Sequence, residues 1–172
     1  VLKNGSNFGF ATAAFGQGIE MTPIQLVSAF SIFANGGKLV KPYVVEKIVH
    51  DDESMDISSK ESKTVISEDT AKEVTTMMIN VVNRGFGSGG KVNGYYLAGK
   101  TGTAQVAGDN GKYGNATTHS FAGFAPAYNP RVAIIVRLDN PKKYNFASET
   151  TTRVFKNVVE FILDYYNVPP DR

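Results

Sequence analysis

Apolar residues recur at helical spacing in three stretches. Ile24, Val27, Phe30 and Ile32/Phe33 follow Thr22-Pro23, which suit an N-cap and a first helical position, and Asn35-Gly36-Gly37 supplies the stop. A buried helix is expected there. Ala71, Val74, Met77/Met78 and Val81/Val82 form one face of a second helix, capped by Ser67 with Glu68 and Asp69 in its first turn and running to about Asn83. Glu149 to Tyr166 reads as a third, with Val154, Phe155, Val158, Val159, Phe161 and Ile162 inward and Pro169-Pro170 ending it. The strand signals differ. Tyr43–Val49 alternates, His50–Lys63 is charged and Ser-rich like an exposed hairpin tip, and Thr64-Val65-Ile66 returns, giving a hairpin insertion over about 43–66. Thr118–Pro126 and Arg131–Leu138 form two strands joined at Tyr128-Asn129-Pro130, close enough in sequence to pair antiparallel. Val1–Gly18 has no period and is expected to be a closely packed loop; Arg84–Gly94, Ala107–Thr117 and Asp139–Ser148 also read as loops. The predicted class is α/β in the α+β sense, an antiparallel sheet flanked by helices, all within residues 1–172.

One segment departs from these patterns. Tyr95-Tyr96-Leu97-Ala98-Gly99-Lys100-Thr101-Gly102-Thr103-Ala104-Gln105 begins like a core strand and then fills with small and hydrogen-bonding residues around a single charge. Side chains of a strand alternate, so Lys100 and Gly102 face one way and Gly99, Thr101 and Thr103 the other. A core strand would carry Val or Ile at these places. Glycines in a strand mark the close approach of another backbone or a ligand. A cation and two hydroxyls between them suit an extended, anionic substrate.

Composition removes competing functions. The 172 residues are 42% hydrophobic and 20% charged, the proportions of an ordinary globular domain or a large piece of one. A formal net charge of +2, with no basic run interleaved with aromatics, gives no footprint for nucleic acid. Cysteine is absent, so disulfides and thiolate metal sites are excluded. His50 and His119 lack ligand spacing, and of the four methionines Met77 and Met78 fall on the apolar face of a predicted helix, so neither a metal nor another cofactor is expected. No apolar run reaches the roughly 18 residues of a membrane-spanning helix, and no signal peptide is seen. Because the sequence opens at Val1-Leu2-Lys3 without Met, a piece excised from a longer chain is expected.

Lys100-Thr-Gly-Thr103 resembles the third signature of the serine transpeptidases and β-lactamases. Three residues recur by chance, but longer patterns agree. Gly16-Gln-Gly-Ile-Glu-Met-Thr-Pro-Ile-Gln-Leu26, followed by Ala34-Asn-Gly-Gly-Lys-Leu-Val-Lys-Pro42, is similar to the class B penicillin-binding proteins, and Asn167-Val-Pro-Pro-Asp171 looks like the end of the division-type enzymes. The resemblance covers nearly the whole chain but only the last part of that family's catalytic domain.

Several expectations follow from it. In that family the serine of Ser-x-x-Lys attacks a D-Ala-D-Ala stem peptide, its lysine serves as base, and a Ser-x-Asn loop walls the site. Ser88-Gly-Gly-Lys91 fits the first pattern literally but sits nine residues before Lys100 in a Gly-rich loop, and Tyr113-Gly-Asn115 follows Lys-Thr-Gly in the wrong order and reads as a turn. The nucleophile and base are therefore expected upstream of Val1. By resemblance, Lys100 sets the electrostatics and proton network of the serine. Thr101 and Thr103 bind the substrate carboxylate, the Thr103 N–H gives half of an oxyanion hole, Gly102 keeps the groove open and Gln105 faces it. The implied function is part of a peptidoglycan D,D-transpeptidase inhibited by β-lactams. The implied partners are the stem peptide, β-lactams, the upstream part of the same protein and membrane proteins of the division machinery. The implied location is the extracytoplasmic face of the bacterial envelope, with a membrane anchor elsewhere in the protein. A catalytically silent binding or scaffold module on the same fold is the alternative, with a β-lactamase-like hydrolase third.

Overall fold

A computed structural model describes residues 5–51, 53–57, 62–107 and 113–172. Its centre is a three-stranded antiparallel sheet in the order β5-β6-β7, formed by Ala98–Ala107, Tyr113–Ala125 and Val132–Asp139. Helix α3 (Glu68–Arg84) and helix α2 (Pro23–Ala34) lie on one face, and helix α4 (Thr151–Tyr165) lies on the other.

Cross-strand register explains the two layers. Phe121, Gly123 and Ala125 of β6 stand beside Val136, Ile134 and Val132 of β7, and this face packs on Phe155, Val159 and Leu163 of α4. Residues one place along point the opposite way. Ala98, Phe124 and Ala133 therefore meet Met78 and Ile79 of α3 and the half-buried Phe30 and Phe33 of α2. Gly99 is required at the centre: a Cβ there would stand 2.7 Å from the Phe121 ring.

The helix starts follow the sequence reading. Thr22 accepts from the Gln25 N–H at 3.3 Å while its own N–H donates to Gln25 Oε1 at 2.9 Å, a reciprocal capping box with Pro23 behind it. Ser67 accepts from the Thr70 N–H at 3.1 Å. An ion pair between Glu68 and Lys72 adds a solvated contact one turn on, which lowers the Glu68 carboxyl below its ordinary range and raises Lys72.

Other expectations are corrected. The segment predicted as an N-terminal loop contains helix α1 (Asn7–Ala13), because Ser6 caps it by accepting from the Gly9 N–H; residues 1–4 of that expectation lie outside the described residues. Helix α2 has no buried residue: Phe30, Phe33 and Ala34 rest on the sheet side while Ile24 is exposed. Its apolar residues spread round the cylinder, and this chain covers only one side. In α4 the buried residues are Thr151, Thr152, Phe155, Val159 and Leu163. Val154, Val158 and Phe161 face solvent, since the packed stripe runs through Phe155 and four-residue steps. Met77 of α3 likewise points out, whereas Met78 and Ile79 are core.

The expected insertion is also built differently. Strand β1 (Lys38–Val40) pairs antiparallel with β4 (Ser62–Thr64), and inside that pair lies a hairpin of β2 (Lys47–His50) and β3 (Glu53–Asp56). The returning strand thus meets Lys38-Leu39-Val40 rather than Tyr43–Val49. All eight hairpin residues are exposed. Residues 52 and 58–61 of the expected tip lie outside the described residues. The loop expected at Ala107–Thr117 is strand at both ends, Ala107 pairing with Tyr113; its remainder, 108–112, lies outside the described residues.

Candidate active site

Strand β5 carries the Lys-Thr-Gly-Thr run and stands at the edge of its sheet. An edge strand keeps one row of backbone N–H and C=O groups without a strand partner, a template for an extended peptide to join as an additional strand. The C-terminal tail fixes its entry. Tyr95 Oη donates to the Val168 carbonyl at 2.6 Å, the Tyr96 N–H donates to Asp171 Oδ1 at 2.8 Å, and the Asp171 N–H reaches the Gly94 carbonyl at 2.9 Å. The Arg172 guanidinium covers the Tyr96 ring at 5.1 Å and donates to Asn83 Oδ1 at 3.0 Å. The Val-Pro-Pro-Asp sequence therefore acts as a clasp from which β5 runs out.

The register sets which way each site residue points. Lys100 pairs with Ala122 and Gly102 with Ser120, on the face that bears α3. Thr101 pairs with Phe121, Thr103 with His119 and Gln105 with Thr117, on the face that bears α4. Lys100 is exposed, and its Nζ donates to the Thr101 carbonyl at 3.0 Å. Gly102 has only the Ser120 hydroxyl beside the place of a Cβ, at 2.6 Å, so the backbone there stays bare.

Thr101 and Thr103 line a cavity of about 250 Å³ whose other walls are Phe86, Phe146, Ala147 and Ser148. Thr103 Oγ1 accepts from the Ala147 N–H at 3.1 Å. That bond occupies an acceptor position and leaves the hydroxyl hydrogen to donate elsewhere. The five sequence-predicted residues thus share the free edge of one strand without sharing one face. Gln105 is exposed and is not part of the cavity lining.

The second wall was missed by sequence reasoning, which read Asp139–Ser148 simply as loop. A short 3-10 turn, Ala147–Glu149, folds it back, with the Glu149 carboxylate accepting from the Phe146 N–H at 3.3 Å. Phe146-Ala-Ser-Glu ahead of a helical stripe was the available signal. His119 also emerges. It is fully buried beneath Thr103, with Nδ1 2.9 Å from Thr150 Oγ1 and Nε2 3.2 Å from Thr117 Oγ1. Among the described residues no group of three His, Cys, Asp or Glu side chains could hold a metal.

Ser88 lies in a 3-10 turn, Ser88–Gly90, and Lys91 has already turned to extended backbone at φ −61° and ψ 138°. No α-helix presents that pair. Two larger concavities, about 420 Å³ between α2 and α3 and about 460 Å³ beside Ile24 and Leu39, lie away from β5. Size does not locate the chemistry here. The convergent hydroxyls, the edge and the adjacent cation make β5 the candidate.

Fold and strand order together define an α/β domain with a Lys-Thr-Gly-Thr strand at the edge of its sheet. The penicillin binding protein transpeptidase domain family matches residues 2–160, and the chain belongs to that family. Stage V sporulation protein D of Bacillus subtilis is 39% identical over 93% of this chain and 25% of that protein. Peptidoglycan D,D-transpeptidase FtsI of Buchnera aphidicola is 35% identical over 98% of this chain and 29% of that protein. The crystal structure of penicillin binding protein 3 from Mycobacterium tuberculosis, complexed with aztreonam, superimposes with a TM-score of 0.89 at 32% identity, covering 99% of this chain and 41% of that one. These relatives are class B penicillin-binding proteins, as the Gly16–Leu26 and Ala34–Pro42 patterns implied. The chain spans between a quarter and two-fifths of their length.

Proposed function

We propose that this chain is the C-terminal portion of the catalytic domain of a peptidoglycan D,D-transpeptidase, a protein that cross-links stem peptides through an acyl-serine and is trapped by β-lactams. The observation that carries the reading is the free edge of β5, with the Lys100 ammonium on one side and the Thr101 and Thr103 hydroxyls at a cavity on the other. A stem peptide lying along that edge gains backbone hydrogen bonds from an otherwise unpaired row.

Its terminal carboxylate is held by the two hydroxyls. Charge-assisted bonds of this kind are worth about 1.5–3 kcal/mol each. Lys100 keeps positive potential at the edge and stabilises the proton network of the attacking serine. The Thr103 N–H contributes one of two donors to the oxyanion. Gly102 keeps a side chain out of the substrate path, and Gln105 extends the edge beyond the carboxylate. The serine and its lysine base come from sequence outside these 172 residues, and that upstream portion covers the outer side of α2.

Related proteins support the ligand class: the Mycobacterium tuberculosis protein has been crystallised with aztreonam and with ampicillin. The names of relatives point to peptidoglycan synthesis and hence to the extracytoplasmic side of the envelope. An inner-membrane anchor elsewhere in the protein and membrane proteins of the division machinery as partners complete the reading; among the described residues no helix is long and apolar enough to cross a membrane. A fluorescent penicillin tests the assignment. The full-length protein should be labelled covalently at one equivalent and the isolated 172-residue chain should not. Stoichiometric labelling of the isolated chain would return the nucleophile to Ser88, and no labelling of either would favour a silent binding module.

A further inference from the structure

Beneath the substrate edge runs a connected set of hydrogen bonds that the catalytic roles above do not use. It begins at His119, which is fully buried and is the cross-strand partner of Thr103. A buried imidazole beside Phe121 and Val136 on the face that packs on α4 costs free energy unless both ring nitrogens are bonded, and here both are. Nδ1 lies 2.9 Å from Thr150 Oγ1 and Nε2 lies 3.2 Å from Thr117 Oγ1. Thr150 Oγ1 in turn donates to the Ala147 carbonyl at 3.5 Å, where Thr151 Oγ1 also donates at 3.1 Å. The same Ala147 donates its N–H to Thr103 Oγ1 at 3.1 Å.

The directions are mutually consistent. With Thr150 O–H pointing to the Ala147 carbonyl, its oxygen must accept from His119, so Nδ1 carries the imidazole proton and Nε2 accepts from the Thr117 hydroxyl. Ala147 is then held at its carbonyl by two threonines, while its N–H, in the preceding peptide group, meets Thr103, so both sides of its Cα are fixed. Thr103 receives a donor from behind, and its own hydrogen is left to point out of the protein. A side chain at position 119 thereby sets the orientation of a hydroxyl on the strand surface.

We propose that His119, acting through Thr150 and the backbone on both sides of Ala147, is a positioning residue that locks the Thr103 hydroxyl as a donor toward the carboxylate of the stem peptide or β-lactam. This rests on the site reading given above. It adds that carboxylate recognition depends on a buried imidazole that never touches the ligand. The chain His119–Thr150–Ala147–Thr103 is the specific path, and Thr117 serves to fix the ring's tautomer.

A double-mutant cycle on the full-length protein tests it, read as the kinetics of acylation by a carboxylate-bearing penicillin. Thr103→Val should raise the half-saturating concentration about ten-fold or more, the loss expected for one charge-assisted bond. His119→Ala should raise it about ten-fold and Thr150→Val about five-fold, with little change in the limiting acylation rate. In the Thr103→Val background each should add less than about two-fold, because the hydroxyl they orient is gone. His119→Asn, whose amide can stand near Nδ1, should recover most of the loss, and His119→Gln, which reaches the Nε2 place, should not.

Losses that multiply in the double variants, or a His119→Ala protein with unchanged kinetics, would overturn the proposal while leaving the site reading intact. Unchanged kinetics in a folded Thr103→Val protein would remove the site reading and this inference together. Should His119→Ala fail to fold, the Thr150→Val arm decides, since Thr150 is only half-buried and Val keeps its shape.

Discussion

The two parts of the chain on either side of Ser67 are built on different terms. Every buried hydrophobic residue among those described lies between Ala71 and Leu163, around the faces of β5, β6 and β7. Before Ala71 the described residues are exposed or half-buried apart from Gly37, although Phe8, Phe15, Ile24, Val44, Ile48 and Met55 are all apolar. The difference teaches where precision is invested. The strand that carries Lys100 and Thr103 is pinned by packed core on both faces and by the C-terminal clasp, as the proposed site would require. The N-terminal part holds its structure by caps, two short strand pairs and the sheet-facing Phe30, Phe33 and Ala34 of α2, and it leaves apolar surface that monomers rarely expose.

The largest consequence concerns assembly. The isolated 172-residue chain should self-associate through its N-terminal third and the free edge of β5, giving oligomers or poor solubility in light scattering, relieved when the upstream portion is supplied as a second chain. A monomer with a single cooperative melt would erase the contrast between the two parts. Next in size is the core itself. In the full-length protein Phe121→Ala, which removes the ring packed 4.6 Å from that of Phe155 and against Gly99, should cost roughly 3–5 kcal/mol of unfolding free energy. Ile48→Ala in the exposed hairpin should stay within about 0.5 kcal/mol. Equal losses at the two places would show that the hairpin is packed in the whole protein.

The smallest effect sits at the open end of the sheet. Asp139 accepts from the Thr118 hydroxyl and from Arg137 Nε, both at 2.9 Å, and these bonds hold its carboxyl below the ordinary value of 3.8. A depressed folded-state pKa stabilises the protein above the unfolded value, and the contribution is lost as pH falls through the folded one. The wild type should therefore lose a little more stability than Asp139→Asn below pH 3.8, and the gap at neutral pH should stay within about 0.5 kcal/mol because the group is solvated. A pH-independent difference would assign the effect to packing.

Legibility in the sequence followed the same division. Helix starts were readable because Thr22-Pro23 and Ser67-Glu68-Asp69 are local chemistry, and the strand around Lys100 was readable because its glycines and hydroxyls violate core composition. The failures were tertiary. Nothing local distinguishes Phe161, which is exposed, from Leu163, which is buried; the sheet's position decides it. Helix α2 reads as buried from Ile24, Val27, Phe30 and Ile32/Phe33 at helical spacing, yet one side is bare in this chain. Nothing local ties Ala147 or His119, which the sequence shows only as lacking metal-ligand spacing, to the Lys100 strand, because the links are a hydrogen bond across 44 residues and a cross-strand pairing.

The central claim is that the edge strand Lys100–Thr103 lines the active site of an acyl-serine transpeptidase. Its most direct test is the second-order rate constant for acylation of the full-length protein by a β-lactam, measured for Lys100→Ala and Thr103→Val beside thermal melts. Removing an interaction with the developing charge costs roughly 2.7–4 kcal/mol, so Lys100→Ala should slow acylation by about two orders of magnitude or more. Thr103→Val, which keeps the backbone N–H, should lose less and mainly in binding. Lys100→Ala should melt near the wild type, since its side chain is exposed, and Thr103→Val should fold but melt somewhat lower, since it removes the acceptor of the Ala147 N–H. Unchanged acylation rates in folded variants would contradict the account and take β5 out of the active site.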